Sequence, residues 1–386
     1  MIPLPGSERI LLGPGPSMVS PRVMRTMAAP MLSHLDPDLM AIMDELRGRL
    51  QATFLAPGGS FCFAVSGTGT SAMETAVANL VAPGTRVLSL VGGYFADRIA
   101  QMSERFGGTV TRLNYEWGRA VDPDAVGKAL VSGGADIVTV VHAETSTGVL
   151  NPVEPIAAIA REHGALTIVD AVTSLGGHRL DMNLWGLGAV YSCSQKCVGA
   201  PSGVAPIAFS PAALERRVKC PSFYFDLNLL EDYWLRRKYH HTICASLVYA
   251  LREALVMVEE EGLDKRWARH RRHHLALRAG IEAMGLSLLP PESERLWTLN
   301  AVRVPDGVDE LAVRKKLLQH FDIEVGAGLG PLAGKIWRVG LMGASSTPAI
   351  ILLFLSAFES VLRGQGAAVP RGAGTAAALD ALGDRG

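Results

Sequence analysis

The chain has 386 residues, 48% of them hydrophobic, with 37 basic and 37 acidic side chains. That balance leaves no basic field to gather nucleic acid or an anionic membrane surface, and the composition lies well away from that of a disordered segment. A chain this long can bury a large core and is expected to divide into two or more domains.

The first informative stretch is SGTGTSAMETAVANL (66–80), a glycine-rich turn running into a helix over 71–81. Runs rich in valine and isoleucine follow at 85–93, 108–115, 135–142, 165–172, 188–194 and 203–210, and these read as strands. Several are almost continuously apolar rather than alternating, the pattern of strands covered on both faces. Between them, 95–107, 122–133 and 152–164 have helical spacing. Strand and helix in alternation imply an α/β fold with a mostly parallel sheet and right-handed crossovers. Beyond residue 242 the pattern changes to two long helices, 242–262 and 263–285. Shorter runs follow: 296–305, a helix-like 309–321, 322–328, 335–343 and a helix-like 347–362. This second region reads as a smaller α+β domain. The expected division is an N-terminal arm (1–20), a large domain (21–264), a small C-terminal domain (265–363) and a flexible tail (364–386). The tail is dominated by glycine and alanine, with one helical turn at most.

The N-terminus has no basic region followed by an apolar core, so no signal peptide is read there. The longest apolar stretch, PAIILLFLSAFESVL, is too short and interrupted to span a bilayer. Cys62, Cys193, Cys197, Cys220 and Cys244 show no framework spacing. Reduced thiols in a cytoplasmic protein fit that pattern.

Three constellations carry chemistry. The turn around Thr68, Gly69 and Thr70 offers glycines, hydroxyls and the free amides of a helix start, which favour an anion such as a phosphate. A plain helix cap by Thr70 or Ser71 is the alternative. TIVDAVTSLGG (167–177) ends a hydrophobic strand on Asp170, at the strand end where open α/β sheets bind ligands. Asp170 could hold a ligand cation there or cap a turn. Lys196, in SCSQKCVGAPSG, lies 26 residues further on, a spacing that allows a turn and a neighbouring strand. A desolvated lysine loses its proton readily and becomes a nucleophile for carbonyls. A phosphate cradle, an aspartate for a ring nitrogen and a lysine for an aldehyde converge on pyridoxal 5'-phosphate. Arg338, in the strand-like KIWRVGLMG, could grip a substrate carboxylate or pair with an internal acid. The run RHRRHH reads as a solvated basic helix face, a metal site at His270, His273 and His274 being the lesser reading.

Taken together, LLGPGPS, LSHLDPDLMAIMDEL, HAETSTGVLNP, VDAVTSLGG, CSQK, FYFDL, YHHTI, ALREAL, HFDIEVGAGLGP and RVGLMG resemble the class V aminotransferases of fold type I. Within them the likeness is to the alanine–glyoxylate aminotransferases, and it runs from about residue 10 to about 362. The resemblance implies a seven-stranded, mostly parallel sheet and a pyridoxal 5'-phosphate cofactor. It makes Lys196 the Schiff-base lysine and pairs Asp170 with the pyridine nitrogen. Val172 and Phe95 would flank the ring, and Thr145 would reach the phenolic oxygen. Thr68, Gly69, Thr70 and Gln195 would hold the phosphate. Tyr239 and Thr242 would reach the phosphate of the partner subunit in a homodimer, and Arg338 would anchor the substrate carboxylate. The implied reaction is transamination between a small amino acid, alanine or serine, and glyoxylate or another small 2-oxo acid.

Serine–glyoxylate, ureidoglycine–glyoxylate, pyridoxamine–pyruvate and aminoethylphosphonate transaminases are the neighbouring alternatives. A lyase or desulfurase needs a mobile, reactive cysteine, whereas Cys193 and Cys197 read as packing thiols. A serine–lysine hydrolase needs serine three residues before the lysine, where Cys193 stands.

Overall fold

The computed structural model describes residues 8–383. Strand β1 (Ile10–Leu11) leads to helices α1 (Pro21–Thr26) and α2 (Pro37–Phe54), then to β2 (Phe61–Gly67) and α3 (Gly69–Leu80). The alternation continues with β3 (Arg86–Val91), α4 (Tyr94–Arg105), β4 (Thr109–Asn114), α5 (Pro123–Gly133) and β5 (Ile137–Val141). A short hairpin, β6 (Ala143–Glu144) and β7 (Val149–Leu150), precedes α6 (Val153–Glu162), β8 (Leu166–Asp170), β9 (Ala189–Tyr191) and β10 (Gly203–Phe209). Next come α7 (Pro211–Glu215), α8 (Leu227–Arg236), α9 (Ala245–Glu261) and α10 (Leu263–Ala283). The C-terminal part contains β11 (Leu299–Arg303), α11 (Glu310–Phe321), β12 (Ile323–Glu324), β13 (Gly326–Ala327), β14 (Ile336–Gly340), α12 (Pro348–Arg363) and α13 (Ala373–Leu382).

The main sheet has seven strands in the order β2-β10-β9-β8-β5-β3-β4. Its β9, β8, β5, β3 and β4 run parallel, and β10 is antiparallel to both its neighbours. The sequence explains the burial: β5, IVTVV, is buried at every position because helices cover both faces. Register matters most at one place. Asp170, the last residue of β8, pairs with Tyr191, the last residue of β9, so both chains leave the sheet along the same edge.

A second hydrophobic core gathers Leu277, Ile281, Val313, Trp337, Phe354 and Phe358 beside the antiparallel sheet β11-β14-β13. The N-terminal segment takes part in it. β1 pairs in parallel with β12, and Leu12 is fully buried there.

Several readings of the sequence are corrected. Residues 373–382, read as part of a loose tail, form α13, which packs on α10 and α12. Small residues allow this approach: a Cβ on Gly280 would come within 2.8 Å of the Gly374 carbonyl oxygen. The histidines of RHRRHH are not a solvated face. His270, His273 and His274 are buried, while Arg271 and Arg272 are exposed. The three histidines share one helical face, as their spacing implies, but that face packs inward instead of meeting solvent. His270 Nδ1 bonds the Arg266 carbonyl at 2.7 Å, His273 Nδ1 the Ser346 hydroxyl at 2.9 Å, and His274 Nδ1 Asn300 Oδ1 at 2.6 Å. No cluster of three or more possible metal ligands occurs among the described residues. Strand β2 and helices α1 and α2 are additional elements that periodicity in the N-terminal part had not indicated. No helix among the described residues is long and apolar enough to cross a membrane.

Candidate active site

A cavity of about 240 Å³ opens at the carboxyl edge of the parallel strands, with Arg338 of β14 also reaching it. Thr68, Gly69, Thr70, Phe95, Thr145, Asp170, Val172, Gln195, Lys196 and Arg338 all line it, so the structure brings ten of the expected site residues together. Tyr239 and Thr242 do not line it and are exposed on this chain. Their loop is tied to the cradle's own strand, because His241 Nε2 lies 2.9 Å from the hydroxyl of Ser66 in β2.

Lys196 sits in the turn that follows β9. That turn is clamped from outside: Ser17 Oγ donates to the Lys196 carbonyl at 2.9 Å, and Arg266 donates to the Cys197 carbonyl at 2.6 Å. Its side chain passes Gly15, whose φ of +112° suits glycine and where a Cβ would lie 3.0 Å from Lys196 Cε. The amine is buried and donates to Thr173 Oγ1 at 2.7 Å and Thr145 Oγ1 at 3.1 Å. Burial lowers its pKa, against the opposing influence of Asp170 and the thiols of Cys193 and Cys197. The amine is thus readier to be neutral than a surface lysine.

Asp170 is also buried. Its Oδ1 accepts from the Val172 amide at 2.8 Å and its Oδ2 from the Tyr191 hydroxyl at 3.0 Å. Burial pushes its pKa up to about 6, while these donors and Lys196 pull against the rise. A cation placed beside it would be stabilised strongly, since an unpaired carboxylate there is costly.

The cradle is the start of α3. Thr68 is the N-cap residue and makes no capping bond with its side chain, so the helix's first amides are not taken by that hydroxyl. Arg98, on α4, donates to Thr70 Oγ1 at 3.3 Å and lies 5.2 Å from the Phe95 ring centroid. Phe95 itself is set by Glu144. That buried carboxylate accepts from the Ser146 amide at 3.0 Å, the Ser146 hydroxyl at 2.6 Å and the Ala96 amide at 3.2 Å, holding the first turn of α4 against the hairpin.

Arg338, on β14, reaches in from the other core. Its Nε donates to the Ala327 carbonyl at 2.6 Å and its Nη1 to the Thr145 carbonyl at 3.2 Å. Both partners are carbonyls rather than an acid. Burial draws its pKa down to about 10, with Glu144 favouring the charge, so the guanidinium stays cationic at neutral pH. Burial pushes the Cys193 thiol up to about 12 and the Cys197 thiol up to about 11, which leaves both inert as nucleophiles.

Reading the sequence missed Thr173, Tyr191, Glu144, Arg98 and Gly15. Thr173 and Glu144 stand beside residues already singled out, in VDAVTSLGG and HAETSTG. Tyr191 becomes visible only once β8 and β9 are set in register.

The residues fit a phosphorylated pyridine aldehyde. The Gln195 amide oxygen is buried with no hydrogen-bond partner, which leaves that carboxamide open to a polar ligand group. A lysine whose burial favours the neutral amine and a buried carboxylate that would welcome a cation complete the donor set. The chain belongs to the Aminotransferase class-V family, whose sequence profile matches residues 11–337. It therefore has the fold type I architecture and uses pyridoxal 5'-phosphate.

Its relatives sharpen the comparison. The crystal structure of ureidoglycine–glyoxylate aminotransferase from Bacillus subtilis superimposes with a TM-score of 0.96 at 38% identity, covering 99% of this chain and 100% of that one. Alanine–glyoxylate aminotransferase from Nostoc sp. gives 0.91 at 44% identity, covering 94% and 97%. The alanine–glyoxylate aminotransferase of Drosophila melanogaster is 34% identical over 371 residues, 94% of each chain.

Proposed function

We propose that this aminotransferase moves the amino group of a small amino acid, alanine or serine, to glyoxylate or another small 2-oxo acid. The observation that carries the reading is the convergence of Lys196, Asp170 and Arg338 on one small cavity. Relatives whose names share glyoxylate as a substrate support the acceptor. The likeness to the Bacillus subtilis protein favours ureidoglycine as a second reading for the donor.

Pyridoxal 5'-phosphate supplies, when bound, an aldehyde for the amino group and an electron sink. Lys196 would be the residue that holds the cofactor through its aldehyde carbon. With the cofactor bound, the Lys196 amine would be placed to act as general base and acid at the substrate α-carbon. Asp170 would hold a proton on the ring nitrogen of the bound cofactor. Arg338 fixes the substrate carboxylate, and Phe95 and Val172 confine the ring. Thr68, Gly69, Thr70 and Gln195 hold the phosphate. Thr145 holds the phenolic oxygen. In this reading the active form is a homodimer in the cytoplasm, with Tyr239 and Thr242 of each chain completing the phosphate site of the other.

Alanine, serine and ureidoglycine assayed against glyoxylate and pyruvate test the assignment. The reading expects the highest kcat/KM for alanine or serine with glyoxylate. Turnover confined to ureidoglycine would replace the donor, and no turnover with any 2-oxo acid would overturn the reading.

A further inference from the structure

Lys196 has two hydroxyl partners, and they are not equivalent. Thr145 lines the cavity and is assigned above to the cofactor. Thr173 does not line it and is fully buried behind the lysine, yet it makes the shorter contact with Nζ, 2.7 Å against 3.1 Å. Thr173 is itself fixed. Its carbonyl accepts from Thr298 Oγ1 at 2.8 Å and from Cys197 Sγ at 3.5 Å, and its hydroxyl also bonds that of Thr145. Thr298 is the residue before β11, so the chain of contacts runs from the small sheet to the reactive amine. The Thr173 backbone is thus held from the small sheet, and its hydroxyl by Thr145 and Lys196.

We propose that Thr173 is a positioning residue for catalysis: its hydroxyl receives the Lys196 amine whenever the lysine is free of cofactor, and Thr298 keeps it in place. The inference rests on Lys196 being the cofactor-bearing lysine. The direction of its effect on pH follows from hydrogen bonding. An ammonium gains more from an acceptor hydroxyl than a neutral amine does. Removing the hydroxyl therefore favours the neutral amine further, in the same direction as the burial already acting on Lys196. The ionisable groups facing the amine are Asp170, Cys193, Cys197 and Arg338, and none of them changes in the substitution.

The test compares the holoenzyme with Thr173→Val and Thr173→Ser, following kcat and KM against pH and the pH titration of the bound cofactor's visible absorbance. Thr173→Val is expected to keep the covalently held cofactor and a near-normal KM. Its kcat should fall roughly tenfold and the acid limb of its kcat profile should move down by about one pH unit, the equivalent of one hydrogen bond to a charged group. Thr173→Ser should restore both. Thr173→Ala, which adds no bulk, takes the place of the valine variant if that one does not fold. An unmoved acid limb, or a serine variant as impaired as the valine one, would overturn the proposal. Lys196→Ala separates the two levels: a covalent cofactor that survives this change removes the lysine assignment itself, whatever Thr173 does.

Discussion

Replacing Arg338 should cost the enzyme its grip on carboxylates. A guanidinium has five N–H donors. Two go to the Ala327 and Thr145 carbonyls, so five minus two leaves three, and a bidentate carboxylate needs two of them. Each hydrogen bond to a charged group contributes about 1.5–3 kcal/mol, so losing both costs about 3–6 kcal/mol. That corresponds to roughly 10²–10⁴-fold in kcat/KM. Arg338→Met should show this loss, carried mainly by KM for the amino acid. Arg338→Lys should recover little of it, because an ammonium cannot present the planar fork. Steady-state kinetics with alanine measures the effect, and a simple amine lacking the carboxylate is the control, since it never had the contact to lose. The reasoning fails if kcat/KM for alanine stays within about threefold of the parent enzyme, a change too small for even one charged hydrogen bond. It fails equally if the simple amine loses as much as alanine, which would mean that Arg338 acts only by supporting Thr145.

Three further outcomes are expected. A Cβ on Gly93 would run into the Glu144 carboxyl and come within 2.6 Å of Ser146 Oγ, so Gly93→Ala should lose about 1–3 kcal/mol of stability by overpacking and weaken cofactor binding through Phe95. Thermal unfolding and a cofactor titration check both. Burial pulls His142 and His274 down to about 4, whereas in the unfolded chain they titrate near about 6.5. Between these values the unfolded state binds protons that the folded state refuses. Stability is therefore complete above about pH 6.5 and falls on acidification by about 1.4 kcal/mol per pH unit for each histidine. Asp170, raised to about 6, and Glu144, also raised by burial, oppose this over part of the range, but His241 and His273 are likewise drawn down to about 4 and His178 and His270 are held well below their ordinary value, so Tm should drop from pH 7 to pH 5, and a flat profile would contradict it. Gly280→Val should push α13 off α10 and expose the segment near 364–372 to protease, seen as limited cleavage that the parent resists.

Much of the site was legible because its chemistry is concentrated in residues that have no ordinary reason to stand where they do. A lysine in the small-residue run SCSQKCVG and an aspartate closing the strand LTIVD are visible as exceptions to local pattern. The alternating strands and helices of 85–210 were legible for the same reason, through continuous apolar runs. The supporting residues were not. Glu144, Thr173 and Tyr191 act through contacts between elements, and nothing in their immediate sequence distinguishes them from turn or core residues. The histidines of α10 misled because arginines between them dominate the composition, while the helix turns the two sets to opposite sides. The last helix was hidden in a glycine- and alanine-rich stretch that has little apolar bulk. There, close approach at Gly280 and Gly374 takes the place of large side chains.

The most direct measurement is the site of covalent attachment. Purified protein loaded with pyridoxal 5'-phosphate is reduced with borohydride, digested and analysed by peptide mass. The account predicts that the visible absorbance bleaches and that the pyridoxyl mass sits on Lys196 alone, disappearing in Lys196→Ala. A label on another lysine, or the absence of any reducible adduct, would contradict it.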